Sequence, residues 1–289
     1  MTKLSFGIKT APQNTTYEAM QEIWLAADAE PTIEHAWLFD HFYSLTGDPS
    51  GPCLEGWTVL AALAAVTKRI RLGLMVTSNT YRFPPVLAKI GATVDVISKG
   101  RLDFGIGAGW HEQEHAAYGI PLYKTGERLR RLEEACELIT RMWTEPSATF
   151  EGRYYQIKDA YCEPKPIQKP VPPFVIGGGG EQLTLRIAAR YASIWNLPGS
   201  PVEVFQHKSK VLDEHCAAIG RDPSTIVRST QLVVNPDNLA ETRSTVQEFI
   251  AVGATHFILN IRTPYPTQII KRIVAEIIEP LLSQYAVEE

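Results

Sequence analysis

Asp40 and His41 stand side by side at the end of an apolar run, where an acid and a base could share a proton. Histidine is the one side chain whose ordinary pKa of ~6.5 lets it give and take protons near neutrality, and a carboxylate can orient it. The structural alternative is an Asp that caps the next segment beside a packed His. A second cluster, GIGAGWHEQEH at 105–115, spells His-Glu-x-x-His with His111, Glu112 and His115. On a long apolar helix that string would offer two imidazoles to zinc. Here a glycine-rich strand end precedes it and Gly119 and Pro121 follow it, so the string reads as a short helix opening at His111 and Glu112. No metal is expected.

A third cluster is Gly177, Gly178, Gly179 and Gly180, followed by EQLTLRIAARYA, which reads as a helix. Backbone amides left bare at a helix N-terminus attract anions, so a phosphate-bearing cofactor would fit there. A tight turn needing positive φ accounts for one or two glycines rather than four. No Walker lysine follows, which leaves nucleotide hydrolysis without support.

These clusters need a scaffold that gathers them. Eight short apolar runs recur along the chain: LSFGIK from Leu4, HAWLFD from His35, IRLGLMV from Ile70, RLDFGIG from Arg101, PFVIGG from Pro173, SIWNL from Ser193, IVRSTQLVV from Ile226 and HFILNI from His256. Amphipathic windows separate them. Between Gly126 and Trp143, for example, Leu129, Leu132, Ala135, Cys136, Ile139, Met142 and Trp143 recur at three- and four-residue spacings. Similar stripes cover Ser244 to Val252 and Thr267 to Leu282, where Pro280 should loosen the last helix. Strand alternating with helix eight times predicts an α/β protein, a (β/α)8 TIM barrel. The alternative, an open doubly wound sheet, would normally announce itself by GxGxxG after the first strand, where this chain has KTAPQNTT. An irregular stretch at about 145–172, with FEGRYYQI as a small hairpin arm, is expected as an insertion between strands 4 and 5 of one domain spanning 1–289.

A barrel places its site beyond the C-terminal ends of its strands. The residues there are Asp40, His41 and Phe42; Thr77 to Arg82; Gly107, Ala108, Gly109, Trp110, His111 and Glu112; the four glycines; Asn196; and Asn260 and Arg262. Trp37, Trp57, Trp110, Trp195, Phe42, Tyr81 and Phe83 lie in or near the same ends, either as core or as the walls of a flat ligand.

Composition narrows the partners. The chain has 289 residues, 45% hydrophobic and 21% charged, which allows a sizeable core and excludes a charge-rich disordered chain. Its 28 Lys and Arg against 32 Asp and Glu give a net charge of −4, so there is no basic surplus for nucleic acid. Four cysteines without CxxC spacing read as free thiols in a reducing compartment. The N-terminus MTKLSFGIKTAPQNTTYEAM lacks the apolar stretch of a signal peptide, so a soluble, cytoplasmic protein is expected.

WLFDHF at 37–42, the stretch from LEGWTVL to HAAYGIP at 54–121, and PPFVIGGGGEQLTLRIAARYASIWN at 172–196 together resemble the luciferase-like monooxygenase superfamily, within it the oxidoreductases that depend on the deazaflavin coenzyme F420. The resemblance implies a tricyclic ring at the C-terminal rim of the barrel and a small-molecule substrate, and relatives of this kind often form homodimers. It also implies a non-prolyl cis peptide between Met75 and Val76 that backs the ring together with Thr77. Carried over by position, Asp40 and His41 contact the ring, Gly107, Ala108, Gly109 and Trp110 line its edge, Gly177 to Gly180 hold the phosphate, and Asn196 lies at the same rim. His41 is expected to shuttle the proton, with Asp40 as its orienter or as a ring contact. Sugar-phosphate dehydrogenases of the family carry a proton-donating glutamate where this chain has Trp110; His111 and Glu112 are the neighbouring alternatives. The competing readings are an FMN-dependent monooxygenase and a non-catalytic flavin-binding barrel.

Overall fold

The computed structural model describes residues 3–285. Its strands are β1 (Ser5–Thr10), β2 (His35–Leu38), β3 (Arg71–Leu74), β4 (Thr77–Ser78), β5 (Leu102–Gly107), β6 (Ala148–Glu151), β7 (Gln156–Ala160), β8 (Phe174–Gly177), β9 (Ile194–Pro198), β10 (Val227–Val233) and β11 (His256–Ile261). The parallel order β3-β2-β1-β11-β10-β9-β8-β5 closes on itself because β3 also pairs with β5, through Leu72 opposite Leu102 and Gly73 opposite Asp103. The expected closed TIM barrel is therefore present, and each of the eight apolar runs holds one barrel strand.

The third run breaks where the sequence suggested continuity. β3 stops at Leu74, the Met75–Val76 peptide is cis, and the chain rejoins the sheet as β4 beside β5. The stretch before the fifth barrel strand contains the antiparallel hairpin β6–β7, in the place expected for the inserted arm.

Helices α1 (Tyr17–Ala29), α2 (Gly56–Val66), α3 (Pro84–Ile97), α4 (Glu112–Ala117), α5 (Thr125–Thr144), α6 (Thr184–Tyr191), α7 (Val202–Ala218), α8 (Leu239–Ala251), α9 (Ile269–Ile273) and α10 (Glu279–Gln284) make up the outer layer. Side-chain caps fix the starts of several: Thr16 accepts from the Ala19 amide, Glu55 from Thr58 and His111 from Glu114. The longest, α5, buries Leu132, Ala135, Cys136, Leu138, Ile139, Met142 and Trp143, so its three-and-four stripe does face the core.

One helix boundary differs from the sequence reading. The helix after the glycine quartet begins only at Thr184, because Glu181 to Leu183 form a turn. Pro280 loosens the last helix as expected, for a π-turn at Val274–Ile278 precedes it, and the helix continues to Gln284. Proline lacks the N–H that would bond the carbonyl four residues back. That carbonyl, on Glu276, is taken up by Arg243 Nη1 at 3.1 Å. Among the described residues no helix is long and apolar enough to cross a membrane.

Candidate active site

The C-terminal ends of β1, β2, β3, β5, β8, β9 and β10 surround one cleft of about 430 Å³. Its lining includes Asp40, His41, Met75, Val76, Thr77, Gly107, Ala108, Gly109, Trp110, Gly177, Gly178 and Asn196, joined by Lys9, Phe39, Leu45, Ser78, Tyr81, Pro198 and Gln231. Residues more than 150 positions apart in sequence, such as Asp40 and Asn196, thus face the same cavity. Gly179 and Gly180 lie beyond this lining.

The floor depends on missing side chains. A Cβ on Gly107 would lie 2.8 Å from Val76 Cγ2, and one on Gly177 would lie 3.2 Å from the same side chain. Glycine at both positions leaves room for Val76, the residue that the β3–β4 break turns toward the cleft. Gly178 turns the chain with φ +116° and gives its own amide to the Asn196 carbonyl at 3.0 Å, so that N–H is already used.

Asp40 and His41 part company although they are neighbours in sequence. The Asp40 carboxylate is buried and gripped by Arg82 through two bonds, Nη1 to Oδ2 at 2.5 Å and Nη2 to Oδ1 at 2.9 Å. Thr77 donates its hydroxyl to the same carboxylate, and Trp57 Nε1 in turn donates to Thr77 Oγ1 at 3.1 Å. Arg82 also meets Glu55, the cap of α2. This assembly locks the β2 end to the β4 end.

His41 faces a different carboxylate. Its Nδ1 lies 2.8 Å from Glu114 Oε2, on α4. Glu114 is fully buried and also accepts from the Phe42 amide and the Tyr81 hydroxyl. Burial opposes its ionisation, but the bonds from His41, Tyr81 and the Phe42 amide outweigh burial and bring its carboxyl down to about 2. An ionised Glu114 can only accept, so His41 donates through Nδ1–H and keeps Nε2 for the cleft. Burial, and then the bond to Glu114, push the Tyr81 hydroxyl well above the usual phenol range, so it stays a donor. The expectation that Asp40 orients His41 is thereby corrected.

Glu114 lies inside the HEQEH string, whose spacing singles out His111, Glu112 and His115 instead. Its signal was positional: a carboxylate two residues past Glu112 falls on the inner side of a helix starting at His111. His111 and Glu112, the alternatives for proton donation, do not line the cleft. His111 caps α4 and meets the Tyr43 hydroxyl at 3.1 Å, while His115 Nε2 meets Thr80 Oγ1 at 2.6 Å. The two imidazoles thus serve separate partners, and among the described residues no group of three or more His, Cys, Asp or Glu is placed to hold a metal ion.

The aromatics divide in the same way. Trp37, Trp57 and Trp195 are core, whereas Tyr81 and Trp110 line the cleft. Trp110 is 61% exposed at the mouth, with its ring 5.8 Å from that of His41.

Residues 4–277 match the family model described as luciferase-like monooxygenase. An uncharacterized protein of Mycobacterium tuberculosis is 34% identical over 212 residues, 73% of this chain and 71% of that one. The F420-dependent glucose-6-phosphate dehydrogenase of Kineococcus radiotolerans is 35% identical over 61% of this chain and 51% of its own length. The FMNH(2)-dependent dimethylsulfone monooxygenase of Pseudomonas putida is 28% identical over 68% of this chain and 53% of its own. Among solved structures, an F420-dependent secondary alcohol dehydrogenase shares the fold, with a TM-score of 0.82 at 18% identity over 91% of this chain and 95% of that one.

Proposed function

The chain belongs to the luciferase-like monooxygenase family, a family of oxidoreductases, and on that premise we propose that it transfers a hydride between coenzyme F420 and a small organic substrate. The observation that carries this reading is His41, whose Nδ1 is held by buried Glu114 while its ring lines a cleft floored by Val76 and glycine backbone.

The residues present suit a flat ring with a phosphate-bearing tail. Met75, Val76 and Thr77 form one face of the cleft, and Gly107, Ala108 and Gly109 form an edge without bulky side chains that ends in the Trp110 ring. Asp40, neutralised by Arg82, can accept from a ring N–H without bringing an unpaired charge. Gly179, Gly180 and the start of α6, where no side chain caps the helix, would hold the phosphate, since the Gly178 amide is occupied. When bound, the deazaflavin supplies or accepts the hydride.

The chain's own contribution is to hold and move one proton. With Glu114 fixing Nδ1–H, His41 Nε2 is the atom that takes a proton from a substrate hydroxyl or returns it to a carbonyl oxygen. Phe39, Leu45, Tyr81 and Trp110 exclude water around it. Trp110 supplies no proton, so this reading favours substrates other than sugar phosphates. An FMN-dependent monooxygenase is the second reading, favoured by the likeness to the dimethylsulfone enzyme.

Equilibrium dialysis of the purified protein against F420 and against FMN separates the two. Retention of F420 with weak FMN binding supports the first reading, and tight FMN binding without F420 overturns it. His41→Ala should keep F420 binding and lose turnover of simple alcohols or ketones; unchanged turnover would remove His41 from the chemistry.

A further inference from the structure

Lys9 is the one lysine or arginine among the cleft-lining residues. It sits near the end of β1 with a half-buried side chain, and its Nζ donates to Gln231 Oε1 at 2.8 Å and approaches the Met75 carbonyl at 3.4 Å. An ammonium carries three donors, so one remains for whatever enters the cleft. Burial alone lowers its pKa, to about 8, with no carboxylate acting on it. It therefore stays mostly charged at neutral pH while facing a cleft that offers it no counter-ion.

The setting fixes this charge in place. Gln231 Nε2 donates to Asn196 Oδ1 at 2.9 Å, and Asn196 Nδ2 donates to Ser229 Oγ at 2.8 Å. Side chains from β9 and β10 thus hold the amide that holds the amine. The other charged side chain on the lining, Asp40, is tied to Arg82, which it shares with Glu55. Lys9 is thus the one cation on the lining, its ammonium bonded to an amide and a carbonyl and to no carboxylate, and a partly buried charge is costly until an anion meets it.

Resting on the reading of the cleft as a redox-cofactor site, we propose that Lys9 compensates the negative charge of the reduced cofactor, so that the protein holds the reduced form more tightly than the oxidised one. Accepting a hydride brings one proton and two electrons to the ring and adds one unit of negative charge, until a further proton is taken up. A cation beside that added charge stabilises the reduced ring more than the oxidised ring, which lacks it. Asn196 and Gln231 then act as positioning residues for Lys9.

The test is calorimetric titration of the wild type, Lys9→Met, Lys9→Gln and Lys9→Arg with oxidised F420 and, under anaerobic conditions, with chemically reduced F420. Lys9→Met and Lys9→Gln should lower the preference for the reduced form roughly tenfold, the size of one charge-assisted hydrogen bond, while Lys9→Arg keeps most of it. Lys9→Gln, which keeps a hydrogen-bonding head group, serves if the methionine variant does not fold. An unchanged preference in the neutral variants, or equal weakening of both forms, overturns the role of Lys9 alone. A wild type that binds F420 in neither state overturns the cofactor reading, and the role of Lys9 with it.

Discussion

His41 Nδ1 and Glu114 Oε2 lie 2.8 Å apart although 73 positions separate them in sequence. The contact joins the end of the second barrel strand to the short helix after the fourth, and it decides which imidazole nitrogen is free. A carboxylate buried this deeply is retained because three donors converge on it.

Glu114→Gln should separate orientation from binding. The neutral amide is a weaker acceptor and lets His41 adopt the other tautomer, so kcat should fall roughly ten- to hundredfold. F420 affinity should change by less than about threefold, since Glu114 does not line the cleft. Steady-state kinetics together with a binding titration read both; equal losses in kcat and affinity would mean that the loop has collapsed.

Arg82→Met should destabilise the fold. It leaves the buried Asp40 carboxylate without its two-bond partner, which typically costs about 3–5 kcal/mol. A melting temperature lowered by roughly 10 °C would agree. The double variant Arg82→Met with Asp40→Asn should recover much of the loss; no recovery would show that Arg82 acts through Glu55 instead.

Gly107→Ala places a methyl against Val76 Cγ2. With the new carbon 2.8 Å from that atom, Val76 must move into the cleft, and F420 affinity should fall roughly tenfold. Adding Val76→Ala makes room for the methyl and should restore binding, a coupling that a double-mutant cycle measures. Additive losses would place the effect elsewhere.

Stability should decline in mild acid because of two buried histidines. His35 and His256 stack with ring centroids 3.9 Å apart near the opposite end of the barrel. Burial lowers the pKa of His256 from 6.5 to about 4, with Glu34 opposing and Arg71 reinforcing the shift. Burial, then the neighbouring His256 and Arg71, drive His35 the same way. As pH falls below the ordinary value the unfolded chain takes up these protons first, so stability is full above about 6.5 and is lost toward about 4. The His256 shift alone is worth about 3 kcal/mol. Denaturant melts from pH 8 to pH 4 should show this slope, reduced in His256→Gln; an equal slope in the variant would assign the effect to other groups.

The sequence by itself determined the scaffold. The eight apolar runs became the eight barrel strands because a strand buried on both faces must be written as a continuous apolar stretch, and that record is local. For the same reason the residues just past each run, Asp40 and His41 after β2 and Gly107 to Trp110 after β5, could be assigned to one rim before any contact was known. The hairpin at β6–β7 and the opening of α4 at His111 were legible from turn and cap residues.

Only the tertiary structure decided who meets whom at that rim. Adjacent Asp40 and His41 line the same cleft past the end of β2 yet bond different partners, Arg82 and Glu114, brought there by separate segments of the chain. The HEQEH string carries metal-motif spacing on a helix too short to use it, but its actual partners are tertiary: on α4 its histidines serve Tyr43 and Thr80 while its second glutamate turns inward. At Pro280 the helix widens into a π-turn, and Arg243, from another helix, bonds the Glu276 carbonyl. Such pairings depend on the closure of a ring whose members lie far apart along the chain, and no local pattern records them.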